Sequence, residues 1–103
     1  MAERGRYEQL KQFDVCPVRS GTLVVLVQSD LLDAIATRVA VPLATRGAAS
    51  TLRPRIVLGD DAFVLRTTEI AVVETRSLLP AIGNVGEQRD AIVRAIDALL
   101  SGV

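Results

Sequence analysis

Few residues of this chain could carry out chemistry. It has no histidine, the side chain that most often serves as a general base near neutral pH and activates Ser and Cys nucleophiles. Its single cysteine, Cys16, lies in an apolar run without a neighbour that would lower the thiol pKa, so we expect a buried, unreactive thiol. Asp60 and Asp61 follow Gly59 in a pattern typical of a hairpin turn. These residues predict a protein that is not an enzyme and binds no metal or cofactor.

Arginine is distributed unevenly along the sequence. Residues 34–59 contain four Arg and no acid, whereas residues 60–74 contain four acids and one Arg. The four are Arg38, Arg46, Arg53 and Arg55. A solvated face accounts for such a pattern, and the functional alternative is a docking site for an acidic peptide, because guanidinium groups bind carboxylates through paired hydrogen bonds. Twelve basic and twelve acidic residues cancel over the chain, so general nucleic-acid binding is not expected.

The elements that must position these residues are short strands and one helix. Apolar runs predict strands over residues 13–18, 23–28, 38–43, 55–58, 62–66 and 70–73. Turn residues at 19–22 join the first and second runs in one hairpin, and turn residues at 59–61 join the fourth and fifth runs in another. Apolar residues then recur at helical spacing: Ile92, Ala95, Ile96, Leu99 and Leu100. Asn84 is the expected N-cap of this helix, and Gly102 its end.

This order of elements predicts a mostly β fold, a small, partly open antiparallel barrel covered by a C-terminal α-helix. Residues 1–11 are polar and without periodicity, which indicates a flexible N-terminal extension before a folded domain over residues 12–103. Half of the residues are hydrophobic, which favours an oligomer. No uncharged run exceeds ten residues, so we expect no membrane span, and without a signal peptide we expect a soluble, cytoplasmic protein.

Several segments appear in an order that is typical of one family. They are Gln12-Phe13, Val27-Gln28-Ser29-Asp30-Leu31-Leu32-Asp33, Val41-Pro42-Leu43-Ala44, Val57-Leu58-Gly59-Asp60, Thr67-Thr68-Glu69 and the final Gly102-Val103. Over residues 12–103 the chain resembles the CcdB family of toxins from bacterial toxin–antitoxin pairs. The resemblance implies a homodimer of SH3-like barrels that binds the A subunit of DNA gyrase and traps it on cleaved DNA. It also implies a cognate antitoxin, whose disordered C-terminal segment wraps over the dimer.

The same resemblance assigns the gyrase contact to the C-terminal tripeptide. The family ends in Trp-Gly-hydrophobic, and this chain ends in Ser101-Gly102-Val103. Tryptophan is a typical anchor of a binding interface, and its loss costs on the order of 2 kcal/mol or more. Because Ser101 replaces it, we expect gyrase poisoning to be weakened, lost or redirected.

The resemblance implies antitoxin contact for four positions, three in a loop where Leu replaces the family's Ile and one on the helix: Ser29, Leu31, Leu32 and Asp97. Leu31 and Leu32 have an alternative interpretation as ordinary core residues. Asp97 stands where the family has Asn, and its alternative is a solvated helix face.

Two other functions remain open from the sequence. An endoribonuclease of the MazF and Kid type shares the barrel, and residues 46–55 with their Arg side chains would supply its RNA groove. A non-toxic module that only binds an antitoxin is the second.

Overall fold

The strands of the protein are short, as the spacing of its apolar runs predicts. The computed structural model describes residues 10–29 and 37–102, and residues 1–9, 30–36 and 103 lie outside this description. The strands are β1 (Asp14–Pro17), β2 (Leu23–Leu26), β3 (Thr37–Ala44), β4 (Arg55–Leu58), β5 (Asp61–Leu65), β6 (Ala71–Glu74) and β7 (Gly83–Asn84). They are followed by α1 (Arg89–Ser101), the single α-helix within the described ranges.

All strand pairs are antiparallel, and they form a nearly closed barrel. The strand order is β4-β5-β3-β2-β1-β7, and β6 pairs with β3. After β6 the chain turns at residues 75–77 and runs along β1, where Leu79 N–H donates to Pro17 O and Ile82 N–H donates to Val15 O, both at 2.8 Å. The segment from β6 to β7 therefore joins the β3 side of the sheet to the β1 side. This confirms the predicted mostly β fold with a partly open barrel.

The β1–β2–β3 sheet is buried on both faces. Val15, Val25 and Val41 are aligned across the three strands and belong to the larger hydrophobic cluster, which also contains Ile92 of α1. Side chains of the opposite face, Cys16 and Leu26 among them, form a second cluster with Leu10 and Leu78. Burial on both faces explains why β2 reads as a continuous apolar run and not as an alternating one.

Helix α1 covers the first face of the sheet, as its spacing predicts, except that Leu100 of the predicted stripe is exposed, because the helix end extends past the cluster. Ile92 and Ala95 are buried, and Ile96 packs against the same cluster. The helix ends at Gly102, which adopts φ +72° and donates its N–H to Ala98 O at 3.1 Å. Glycine adopts this left-handed conformation without a Cβ clash, so Gly102 terminates the helix as predicted.

The predicted N-cap is wrong. Helix α1 begins at Arg89, after a 3₁₀ turn over residues 86–88, and Asn84 lies in β7. The side chain of Asn84 instead binds Asp14 across the β1–β7 pair at 2.9 Å and accepts a hydrogen bond from Gly86 N–H at 2.8 Å. A short amide followed by helical spacing is typical of a cap, which accepts through its side-chain oxygen, but here that oxygen accepts from Gly86 N–H, three residues before the helix begins.

Two residues of the predicted N-terminal extension lie within the described part of the chain. Leu10 is buried in the second cluster, and Lys11 N–H donates to the Asp14 carboxylate at 2.9 Å.

Candidate functional site

The end of α1 is displayed on the surface. Leu100 is 79% exposed, and Ser101 and Gly102 are exposed after it. Val103, the last residue of the predicted gyrase-contact tripeptide, lies outside the described residues. The first two residues of that tripeptide are therefore available to a partner in this subunit.

The outward face of α1 combines an acid with apolar side chains. Asp97 is exposed, and Val93 and Leu100 lie four residues before and three residues after it. Residues at these spacings share one face of a helix. Both aliphatic side chains are exposed, so the acid that we predict to contact the antitoxin lies between two apolar contacts.

Ser29, the other described residue of the predicted antitoxin contact, lies elsewhere in the fold. It is exposed after β2 and lines a small recess that also includes Leu10 and Leu26 of the second cluster. Asp97 is on the helix that packs against the first cluster. Leu31 and Leu32 lie outside the described residues.

The Arg residues of the basic stretch do not form one groove. Arg38 is buried and donates to Thr37 O at 3.0 Å. Arg46 lines a cleft together with Arg66, which follows β5. Arg55 lines a separate cleft together with Arg94 of α1. The fold thus divides residues 46–55 between two surfaces, and each receives a second Arg from a distant part of the chain.

Cys16 is fully buried in β1, as predicted. Burial raises its pKa to about 11, and the negative charge of Asp14 adds to the effect. A thiol with such a pKa is almost entirely protonated at neutral pH. Asp14 itself is buried and accepts hydrogen bonds from Lys11 N–H and Asn84 Nδ2, so its carboxylate is used in joining β1 to β7.

Within residues 10–29 and 37–102, no three Cys, Asp or Glu side chains are grouped as metal ligands. None of the described helices combines the length and the apolar composition that crossing a membrane would need.

Sequence reasoning did not identify Arg66 or Gln88. Arg66 is the one Arg among the acids of residues 60–74, and its neighbour Arg46 could be recognised only from the pairing of β3 with β5. Gln88 holds the helix to β4 through its side-chain amide, and no local pattern marks a residue for such a contact.

Comparisons with known proteins agree with the barrel and the C-terminal helix described above. An endoribonuclease in complex with its cognate antitoxin, from a mycobacterial species, has the same fold with a TM-score of 0.78 and 18% identity over 91% of this chain and 96% of its own. A second mycobacterial endoribonuclease aligns with a TM-score of 0.76 and 17% identity over 91% of this chain and 92% of its own. At these identities the likeness is one of fold. No curated protein sequence matches the chain. The family model of the CcdB protein matches residues 12–102, which include the barrel and the helix, and the chain therefore belongs to the CcdB family.

Proposed function

We propose that the protein is the toxin component of a toxin–antitoxin pair, that it acts as a homodimer in the cytoplasm, and that it works by binding another macromolecule without catalysis. The observation that carries this proposal is the family match over residues 12–102, because it includes the barrel and nearly all of the exposed helix end. The rest of the proposal concerns the partners, and it is argued from the surface of the subunit.

The first partner is a cognate antitoxin. A mycobacterial endoribonuclease of the same fold was solved in complex with its own antitoxin, which supports a partner of this kind for the present chain. The outward face of α1 offers Val93, Asp97 and Leu100 for such a contact. Two exposed aliphatic side chains around an acid suit an amphipathic segment that carries a basic residue.

The second partner to consider is the A subunit of DNA gyrase. We propose that its binding by this chain is weakened, lost or redirected. Ser101 is exposed and small, so it cannot fill a pocket that a Trp side chain would occupy. The two aromatic residues within the described ranges do not replace it, since Phe13 is buried and Phe63 is half-buried against the first cluster. Two copies of the terminus in a homodimer would each lack the anchor, and the deficit of about 2 kcal/mol would apply to both.

Binding without catalysis is supported by the side chains themselves. The chain has no histidine, and the only cysteine is buried with a raised pKa.

An endoribonuclease is the second candidate function, and one observation favours it. The protein shares its fold with two endoribonucleases, and the cleft lined by Arg46 and Arg66 is a basic surface on that fold. Zero net charge and the absence of histidine favour the binding function. Incubation of the purified protein with RNA separates the two, because only the nuclease produces fragments.

Controlled expression in a growing bacterium tests the leading proposal. We expect a growth arrest that co-expression of the cognate antitoxin relieves, and sedimentation of the purified protein as a dimer. Gyrase–DNA cleavage complexes during the arrest would identify gyrase as the target. Normal growth at high expression, or a single subunit on sedimentation, would contradict the toxin or the homodimer, respectively.

A further inference from the structure

The cleft that contains Arg46 has no role in the antitoxin and gyrase contacts of the leading proposal. It has a volume of about 740 Å³ and lies between the β1–β2 turn, the end of β3 and the end of β5. The β1–β2 turn contributes the hydroxyl groups of Ser20 and Thr22, and Thr45 contributes a third. The apolar side chains of the lining include Leu43, which is buried, and Phe63, which is half-buried.

The charge of this cleft is unbalanced. Its lining contains Arg46 and Arg66 and neither Asp nor Glu. Arg46 is exposed and forms no ion pair with an acid of the described ranges. Arg66 pairs through one nitrogen with Glu69, which is outside the lining, and its Nε is buried without a hydrogen-bond partner in the part of the chain that the structure describes. An unpaired buried donor is destabilising, so a carboxylate that reorients Arg66 and accepts from its Nε and one terminal nitrogen would satisfy that donor.

We propose that this cleft binds an extended acidic peptide segment, with its carboxylates on Arg46 and Arg66 and an intervening aliphatic side chain over Leu43 and Phe63. The proposal rests on the proposed function, because it gives the chemical class of an antitoxin segment. Arg forks bind carboxylates in two-point geometry, and the nearby hydroxyl groups can donate to the peptide backbone or to the acids. The site is separate from the α1 surface formed by Val93, Asp97 and Leu100.

A peptide fits this cleft better than RNA does. Glu69 neutralises one of the two Arg side chains, so the cleft and its rim carry about one net positive charge. Affinity for a nucleic acid depends on neutralising several phosphates at once. Single-stranded RNA is also bound by stacking its bases on exposed aromatic side chains, and Phe63 packs against the first cluster instead. One or two carboxylates are what the available donors can satisfy.

Fluorescence anisotropy on the full-length protein tests the site with defined probes. The first is a labelled ten-residue peptide that repeats Glu-Ser-Leu-Ser, in which Glu and Leu share one face of the extended chain. The same peptide with Gln for Glu and a ten-nucleotide oligouridine serve as comparisons. We expect the Glu peptide to bind and the Gln peptide to bind about tenfold less tightly. We expect binding to weaken between 0.05 and 0.5 M salt, because the Arg side chains are partly exposed.

Two variants locate the binding site. Arg46→Gln should weaken binding of the Glu peptide about fivefold, and because Arg46 is exposed and has no ion-pair partner among the described residues, the variant should retain its fold. Arg55→Gln is the matched control, since Arg55 is an exposed Arg in the other cleft, and it should bind as the unsubstituted protein does. Circular dichroism of both variants verifies folding.

Three outcomes would overturn the site: no binding of the Glu peptide at millimolar concentration, equal affinity for the Glu and Gln peptides, or equal losses in the two variants. If oligouridine binds more tightly than the Glu peptide and neither peptide displaces it, the cleft would be assigned to RNA instead. The proposed function is tested separately. If the antitoxin neutralises and binds Arg46→Gln with unchanged affinity, the cleft assignment fails while the toxin stands. If the protein neither arrests growth nor binds an antitoxin but still binds the Glu peptide at Arg46, the toxin proposal fails while the cleft stands.

Discussion

The side chain of Gln88 pairs with the backbone of Val57, 31 residues away in the sequence. Its Oε1 accepts from Val57 N–H at 2.8 Å, and its Nε2 donates to Val57 O at 2.7 Å. Val57 lies in β4, the last strand on its side of the sheet, so the amide of Gln88 occupies the position that a further strand would take. The contact satisfies part of an open edge and fixes the start of α1 against the barrel.

We expect Gln88→Met to destabilise the protein by about 1–3 kcal/mol. The substitution retains the length of the side chain and removes both hydrogen bonds, each worth roughly 0.5–1.5 kcal/mol. Urea denaturation measures the change. Glu87→Ala is the control, because Glu87 is exposed in the same turn, and it should change stability by no more than about 0.5 kcal/mol. Equal effects of the two substitutions would mean that the Gln88–Val57 pair contributes nothing.

Neighbouring positions of α1 should respond very differently to truncation. Ile92 is fully buried against the first cluster, and Ile92→Ala should cost about 2–5 kcal/mol because it leaves a cavity there. Val93 is 37% exposed, and Val93→Ala should be close to neutral, since Ala favours the helix more than Val does. The midpoints of thermal unfolding compare the two. A larger loss at Val93 would show that the helix presents its other face to the barrel.

Most of the fold could be predicted because its signals are local. The β1–β2 and β4–β5 hairpins follow from apolar runs around turn residues, and Gly59 adopts φ +63° in the two-residue turn between Leu58 and Asp61. The helix follows from its apolar spacing. β7 could not be predicted in the same way, because two residues, Gly83 and Asn84, carry no periodicity and pair with β1 only once the chain has crossed from β6.

The basic stretch shows where sequence reasoning stops. An excess of Arg over residues 34–59 is visible, but its arrangement depends on contacts between distant strands. The antiparallel pairing of β3 with β5 puts Arg66 opposite Pro42, and Arg46, which follows β3, lines the same cleft as Arg66, while Arg38 is buried at the other end of β3. The linear charge pattern therefore predicted an Arg-rich surface, either solvated or used for docking, and the fold determined which Arg residues share a cleft.

The buried thiol of Cys16 should make stability depend on alkaline pH. Its pKa is 9.0 when unperturbed and about 11 in the fold, first because of burial and then because of Asp14. Between these values the unfolded chain loses the thiol proton while the folded protein keeps it, so this contribution to stability falls as pH rises from 9 to 11.

Urea denaturation between pH 9 and 11 should show that the free energy of unfolding falls more steeply with pH in the unsubstituted protein than in Cys16→Ala, which lacks the thiol. At pH 8 the folded protein should also react with iodoacetamide about a hundredfold more slowly than the urea-unfolded chain, since its thiolate is that much scarcer. The burial of Cys16 would be contradicted if stability fell equally with pH in the unsubstituted protein and in Cys16→Ala, or if the folded and unfolded chains were alkylated at equal rates.

Replacing Ser101 by Trp should strengthen binding to the A subunit of DNA gyrase. Ser101 is exposed at the end of α1, so a larger side chain meets no obstacle within this subunit, and an anchor worth about 2 kcal/mol corresponds to roughly 30-fold in affinity per copy. Asp90→Trp is the matched control, because it adds the same side chain to an exposed position eleven residues earlier, about 16 Å away along the helix. Calorimetric titration of the gyrase subunit measures both variants. If Ser101→Trp binds gyrase no more tightly than Asp90→Trp, the helix end is not the gyrase contact, and the loss of Trp at this position does not explain any weakening of gyrase poisoning.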